Sequence, residues 1–125
     1  SEPAACLMLA PSRDWLYARC DARFEAMLAD GAAQAEVAAL SALHLPPQAM
    51  ALKALGVAEL QAVARGEMEL ETAIAQAQMQ TRRYAKRQMT WFRNQMLDWA
   101  SFNEQDYEDN FAKIFAFISK KLLTK

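Results

Sequence analysis

Breaks in the backbone are what this chain lacks. Three glycines (Gly31, Gly56, Gly66) and four prolines punctuate 125 residues, and alanine, leucine, methionine, glutamine and glutamate dominate between them. Strong helix formers with so few stops predict a mainly α fold. The same glycine count excludes a chemistry. Neither G-x-x-x-x-G-K-[ST] nor G-x-G-x-x-G can be written anywhere in the sequence, so no phosphate-cradling loop lies within it. At 54% hydrophobic residues the chain is too apolar for general disorder, and its length suffices for a core without staples.

The pattern predicts about five helices and a short N-terminal strand. Ala4 to Leu9 is continuously apolar, which suits either a buried strand or the lead-in to a helix. Ser12 is the expected N-cap of the first helix, with Asp14 at its positive end and Gly31 at C′. A second helix is expected over about 33–43, before Pro46 and Pro47. A third region spans 48–65, interrupted near Gly56 and closed by Gly66. The longest segment runs from about Leu70 to Arg93, and a loop around 97–103 leads to a final helix over 104–122. That last helix carries a stripe of Tyr107, Phe111, Ile114, Phe115 and Ile118. Its early acids (Glu104, Asp106, Glu108, Asp109) and late lysines (Lys120, Lys121, Lys125) complement the helix dipole. No linker or repeat divides the chain, so residues 1–125 read as a single helical unit.

Charge is organised in one place. Fourteen Lys and Arg face fifteen Asp and Glu, a formal net charge of −1, so no overall field draws the chain to polyanions. Yet Thr81 to Arg93 holds five cations and no acid. On a helix with Arg82 at zero, Arg93 projects near 20°, Lys86 near 40°, Arg83 near 100° and Arg87 near 140°, about 100° per residue. Trp91, Tyr84, Phe92, Ala85 and Met89 occupy the opposite arc, where they are expected to pack as core, Trp91 among them. Like charges at these spacings repel. A polyanion such as a phosphate backbone would relieve that repulsion and release counterions; acids elsewhere in the fold would relieve it too.

Other features carry less. Gly56 inside a helical pattern marks a break or a close backbone approach. His44 stands beside a proline turn with no second metal ligand near it, and with Cys6 and Cys20 it cannot build a four-ligand zinc site. No metal, cofactor or catalytic set is expected among these residues, and no apolar run is long enough to span a membrane.

The segment Thr81-Arg82-Arg83-Tyr84-Ala85-Lys86-Arg87-Gln88-Met89-Thr90-Trp91-Phe92-Arg93 resembles the signature near the C-terminus of the tRNA dimethylallyltransferases. Ala10-Pro11 with Trp15-Leu16, then Arg23-Phe24 with Met27-Leu28 and Gly31, are similar to that family's helix after its last core strand. Leu45-Pro46, Leu52 to Gly56 and Gly66-Glu67-Met68 resemble its next landmarks. Two positions depart: Val57 stands where the family usually has tyrosine, and Lys53 where it usually has arginine.

The resemblance implies the helical C-terminal portion of a P-loop-like α/β transferase that moves a dimethylallyl group from its diphosphate to N6 of an adenine beside the anticodon. The parent enzyme would use Mg²⁺ on the diphosphate and be cytoplasmic. Its phosphate loop and catalytic acid would lie in a missing N-terminal core, leaving this portion inert alone. By the same resemblance Lys53, Gly56, Arg82, Lys86, Arg87, Gln88, Thr90, Trp91 and Arg93 face a tRNA anticodon stem-loop. The helical projection also allows Gln88, near 240°, a buried hydrogen-bonding role. Residues 1–10 would be a remnant of a core strand, expected to melt, turn helical or pair with a second copy into a homodimer. The alternatives are a free-standing helical RNA-binding or protein-interaction module, or a scaffold whose basic face meets an acidic protein.

Overall fold

A computed structural model describes residues 4–108 and 111–123, excepting the side chains of Tyr107 and Glu108. Asp109 and Lys125, counted above among the dipole-complementing charges, lie outside the described residues, as does the Tyr107 side chain of the expected stripe. The chain is mainly helical: β1 (Leu7–Leu9), α1 (Arg13–Ala29), α2 (Ala32–Ala42), a 3-10 turn (Met50–Lys53), α3 (Val57–Ala64), α4 (Leu70–Gln95), β2 (Ala100–Phe102), α5 (Glu104–Glu108) and α6 (Phe111–Leu123). The packing gathers into two compact units: Tyr17–Ala85, and Ser1–Leu16 with Lys86–Lys125.

In Tyr17–Ala85 the core is Phe24 and Leu28 from α1, Ala33 and Val37 from α2, Leu60 from α3 and Ala77 from α4, with Val57 and Ile74 packed against it. Ala73 and Ala77 are fully buried, and their small side chains let neighbouring elements approach α4 closely. Gly31 ends α1 and opens α2 in one step: its φ of 77° is left-handed, and its N–H donates to the Leu28 carbonyl at 3.1 Å. Gly56 has φ 93°, and a Cβ there would stand 2.8 Å from Cε2 of Phe24. The glycine is therefore both the break and the close approach that the sequence allows, and what approaches is a core ring.

In the other unit β1 pairs in parallel with β2, Leu7 opposite Ala100 and Leu9 opposite Phe102. Two expectations are corrected here. The N-terminal segment neither melts nor turns helical, because the stretch read as a loop around 97–103 supplies a strand partner within the same chain. The premise of an unpaired strand seeking a second copy fails for that edge. The Ala10 N–H extends the ladder to the Phe102 carbonyl at 2.7 Å. Ser12 caps α1 as expected, its Oγ accepting from the Trp15 N–H at 3.4 Å, while its own N–H donates to Glu104 Oε2 at 2.7 Å.

The expected helix over 104–122 is helical wherever it is described, as α5 and α6; residues 109–110 lie outside the described residues. Asn103 caps α5, its Oδ1 accepting from the N–H groups of Gln105 and Asp106, and Asp106 Oδ2 accepts from the Asn103 N–H. The stripe is also turned. Ile114 is buried and Phe117 meets the buried Phe102 edge-on at 5.5 Å, whereas Phe111 and Phe115 face outward and pair with each other at 5.0 Å. Contact with the β2 ring, rather than the whole apolar stripe, decides which side of α6 is covered.

Candidate nucleic-acid interface

The basic segment lies on α4, and its N-terminal half is anchored through the alanine seam just described. Arg83, Lys86, Arg87 and Arg93 are exposed, and among the described residues none of these four is held in an ion pair. Arg82 differs. One of its Nη atoms donates to both carboxylate oxygens of Asp21 on α1, each at 2.9 Å, and both side chains are about two-thirds covered, at 35% and 32% exposure. One turn earlier, Gln78 Nε2 donates to the Asp21 carbonyl at 3.3 Å and to Glu25 Oε1 at 3.2 Å. Of the five clustered cations, the fold matches one and leaves four open among the described residues.

The opposite arc is not the core that helical projection suggests. Only Ala85 is buried and Met89 half-buried, while Tyr84 and Trp91 are 51% and 53% exposed. Trp91 meets Phe92 edge-on at 5.2 Å, and the residue stays more than half exposed. Projection gives a direction around the axis but not whether anything lies in that direction. Gln88 is likewise exposed rather than buried. With Met8, Leu9, Trp15, Phe92 and Arg93 among its neighbours, it lines a mainly apolar cavity of about 420 Å³. Thr90 is exposed and its Oγ donates to the Lys86 carbonyl at 2.9 Å, which leaves the oxygen's lone pairs for an outside donor.

Lys53 ends the 3-10 turn and is exposed, and Gly56 is buried under Phe24. Two features are not visible in the sequence. Arg83 belongs to the open set, and Arg82, expected there, does not. Asp21, the partner of Arg82, is 61 residues away, and nothing local to either residue signals the pair. Nearby on α1, Arg19, Cys20 and Arg23 line a shallow concavity. His44 is exposed with φ 49°. Among the described residues no three His, Cys, Asp or Glu gather to hold a metal ion, and no helix is long and apolar enough to cross a membrane.

A family model described as IPP transferase matches residues 1–95. The tRNA dimethylallyltransferase of Parvibaculum lavamentivorans is 48% identical over 121 residues, covering 97% of this chain and 38% of that protein. That of Paramagnetospirillum magneticum is 50% identical over 118 residues, covering 94% and 37%. Among solved structures, the full-length tRNA isopentenylpyrophosphate transferase of Bacillus halodurans superposes with a TM-score of 0.80 at 31% identity, covering 95% of this chain and 39% of that one. The tRNA delta(2)-isopentenylpyrophosphate transferase of Staphylococcus epidermidis gives 0.72 at 29% identity, covering 89% and 37%. The chain thus spans less than two-fifths of the length of these relatives.

Proposed function

The chain belongs to the IPP transferase family, and from that membership we propose that it is the C-terminal, tRNA-contacting portion of a dimethylallyltransferase. In the whole enzyme the exocyclic N6 of an adenine beside the anticodon would attack C1 of the dimethylallyl group. The C–O bond to diphosphate would break and a carboxylate base would take the N6 proton. To reach a pocket, the adenine must leave its stack. The sequence cannot spell a phosphate loop, and Mg²⁺ and the reacting groups would belong to the N-terminal core of the whole enzyme. This portion alone is proposed to be inert and cytoplasmic.

One observation carries the reading: exposed cations without ion-pair partners among the described residues recur along one helix of a chain whose net charge is −1. Arg83, Lys86, Arg87 and Arg93 would sit against phosphates, which supply charge without dictating sequence. Lys53 would add a further cation, Gly56 would shape the turn that follows it, and Gln88 and Thr90 would offer polar contacts. The exposed indole of Trp91 would stack on an unpaired base of the anticodon loop, as single-stranded RNA readers commonly do.

The test is binding of a tRNA anticodon stem-loop measured against salt. Arg83→Ala, Lys86→Ala and Arg87→Ala should each flatten the log–log slope by about one unit. An unchanged slope in all three refutes the reading. Incubation with dimethylallyl diphosphate, Mg²⁺ and tRNA should yield no modified adenine. An in-frame G-K-[ST] loop encoded upstream would favour the transferase portion over a free-standing binding module.

A further inference from the structure

We propose that Asp21 is a positioning residue for the basic helix: it fixes the rotation of α4 by holding Arg82, which it withdraws from the RNA-contacting set. The inference rests on the RNA reading above but adds a residue and a role to it. Two rungs join α1 to α4, Asp21 with Arg82 and Glu25 with Gln78, one helical turn apart on each element. The backbone carbonyl of Asp21 accepts from Gln78 as well, so the two rungs interlock.

A single ion pair one-third exposed to solvent contributes little by itself. Two rungs four residues apart do something different: they specify both the axial register and the turn of one helix against the other. Arg82 is spent on that purpose. With Arg82 turned toward α1, residues about 40° to 140° further around the same helix, namely Lys86, Arg83 and Arg87, turn outward. Their exposure fits this direction.

The sign of one substitution separates positioning from simple charge. Asp21→Asn removes a negative charge beside a basic helix and frees Arg82. If Arg82 were a phosphate ligand masked by Asp21, RNA binding would tighten and the salt slope would steepen by about one unit. Positioning predicts the reverse: affinity about threefold weaker with no steeper slope, while Asp21→Glu retains most of the wild-type affinity.

Hydrogen exchange on the same proteins without RNA provides the second readout. Amides of α4 around residues 78–87 should exchange about tenfold faster in Asp21→Asn and stay near wild type in Asp21→Glu. Should Asp21→Asn not fold, the swapped pair Asp21→Arg with Arg82→Asp must restore protection in that segment. Tighter RNA binding, unchanged exchange, or a swap that restores nothing would each overturn the proposal. Wild-type protein showing no salt-dependent RNA binding would overturn the RNA reading, and the exchange data would then decide the role of Asp21 in positioning α4 by themselves.

Discussion

Replacing Gly56 by alanine isolates the energetic consequence of one close approach. Two costs add. A non-glycine residue at φ 93° carries about 1–2 kcal/mol of backbone strain. The new Cβ would also stand 2.8 Å from Cε2 and 3.3 Å from Cζ of Phe24. That ring lies in the core at 9% exposure, so it cannot swing into water, and relieving the overlap costs about 1–3 kcal/mol. The total is about 3 kcal/mol. Gly31→Ala is the control, because Gly31 has φ 77° but nothing within 4 Å of the added Cβ; it should cost about 1 kcal/mol. For 125 residues each kcal/mol shifts the melting point by roughly 4 °C, so Gly56→Ala should melt about 8 °C below Gly31→Ala. Denaturant titration followed by circular dichroism measures both, and Phe24→Leu in the Gly56→Ala background should recover part of the difference. Equal losses in the two alanine variants would refute the argument that Phe24, rather than backbone conformation alone, demands glycine at position 56.

Other outcomes follow from the second unit. Ile114→Ala should destabilise by about 2–4 kcal/mol and Phe115→Ala by less than about 1, since only the first is buried; equal costs in a urea titration would mean that α6 packs on its other side. Hydrogen bonds from the Ser12 side chain and backbone hold Glu104 below the usual carboxylate range, and Lys113, with the Asn103 backbone, does the same for Asp106. Lowered folded-state values mean stability that is complete above the unfolded value of about 4 and lost as pH falls through the folded one. Urea midpoints from pH 6 to pH 3 should therefore fall less steeply in a Glu104→Gln, Asp106→Asn double variant than in wild type, and parallel curves would exclude these two groups as a cause.

Much of the helical layout was legible because its boundaries are local. Ser12 and Gly31 announce the ends of α1 through their own chemistry, and Gly56 marks the start of α3 in the same way. Strand β2 was not legible: Ala100-Ser101-Phe102 is too short for a period, and its partner lies 93 positions earlier. The candidate interface divides along the same line. Periodicity placed the cations on one face, since that needs only residue spacing along one helix. Which cation is already matched, and whether Trp91 is covered, depends on residues brought near by the fold. Asp21 settles the first for Arg82, and for Trp91 the wheel could not know that its side stays open.

The parallel pairing of β1 with β2 also sets an order of events during synthesis. Leu7 waits for a partner, Ala100, that is translated 93 residues later. At about 5–20 residues per second that interval is of the order of ten seconds, far longer than helices need to form. Every residue from Tyr17 to Ala85 emerges within it, so the intervening helices can settle first and shorten the loop that the two strands must close.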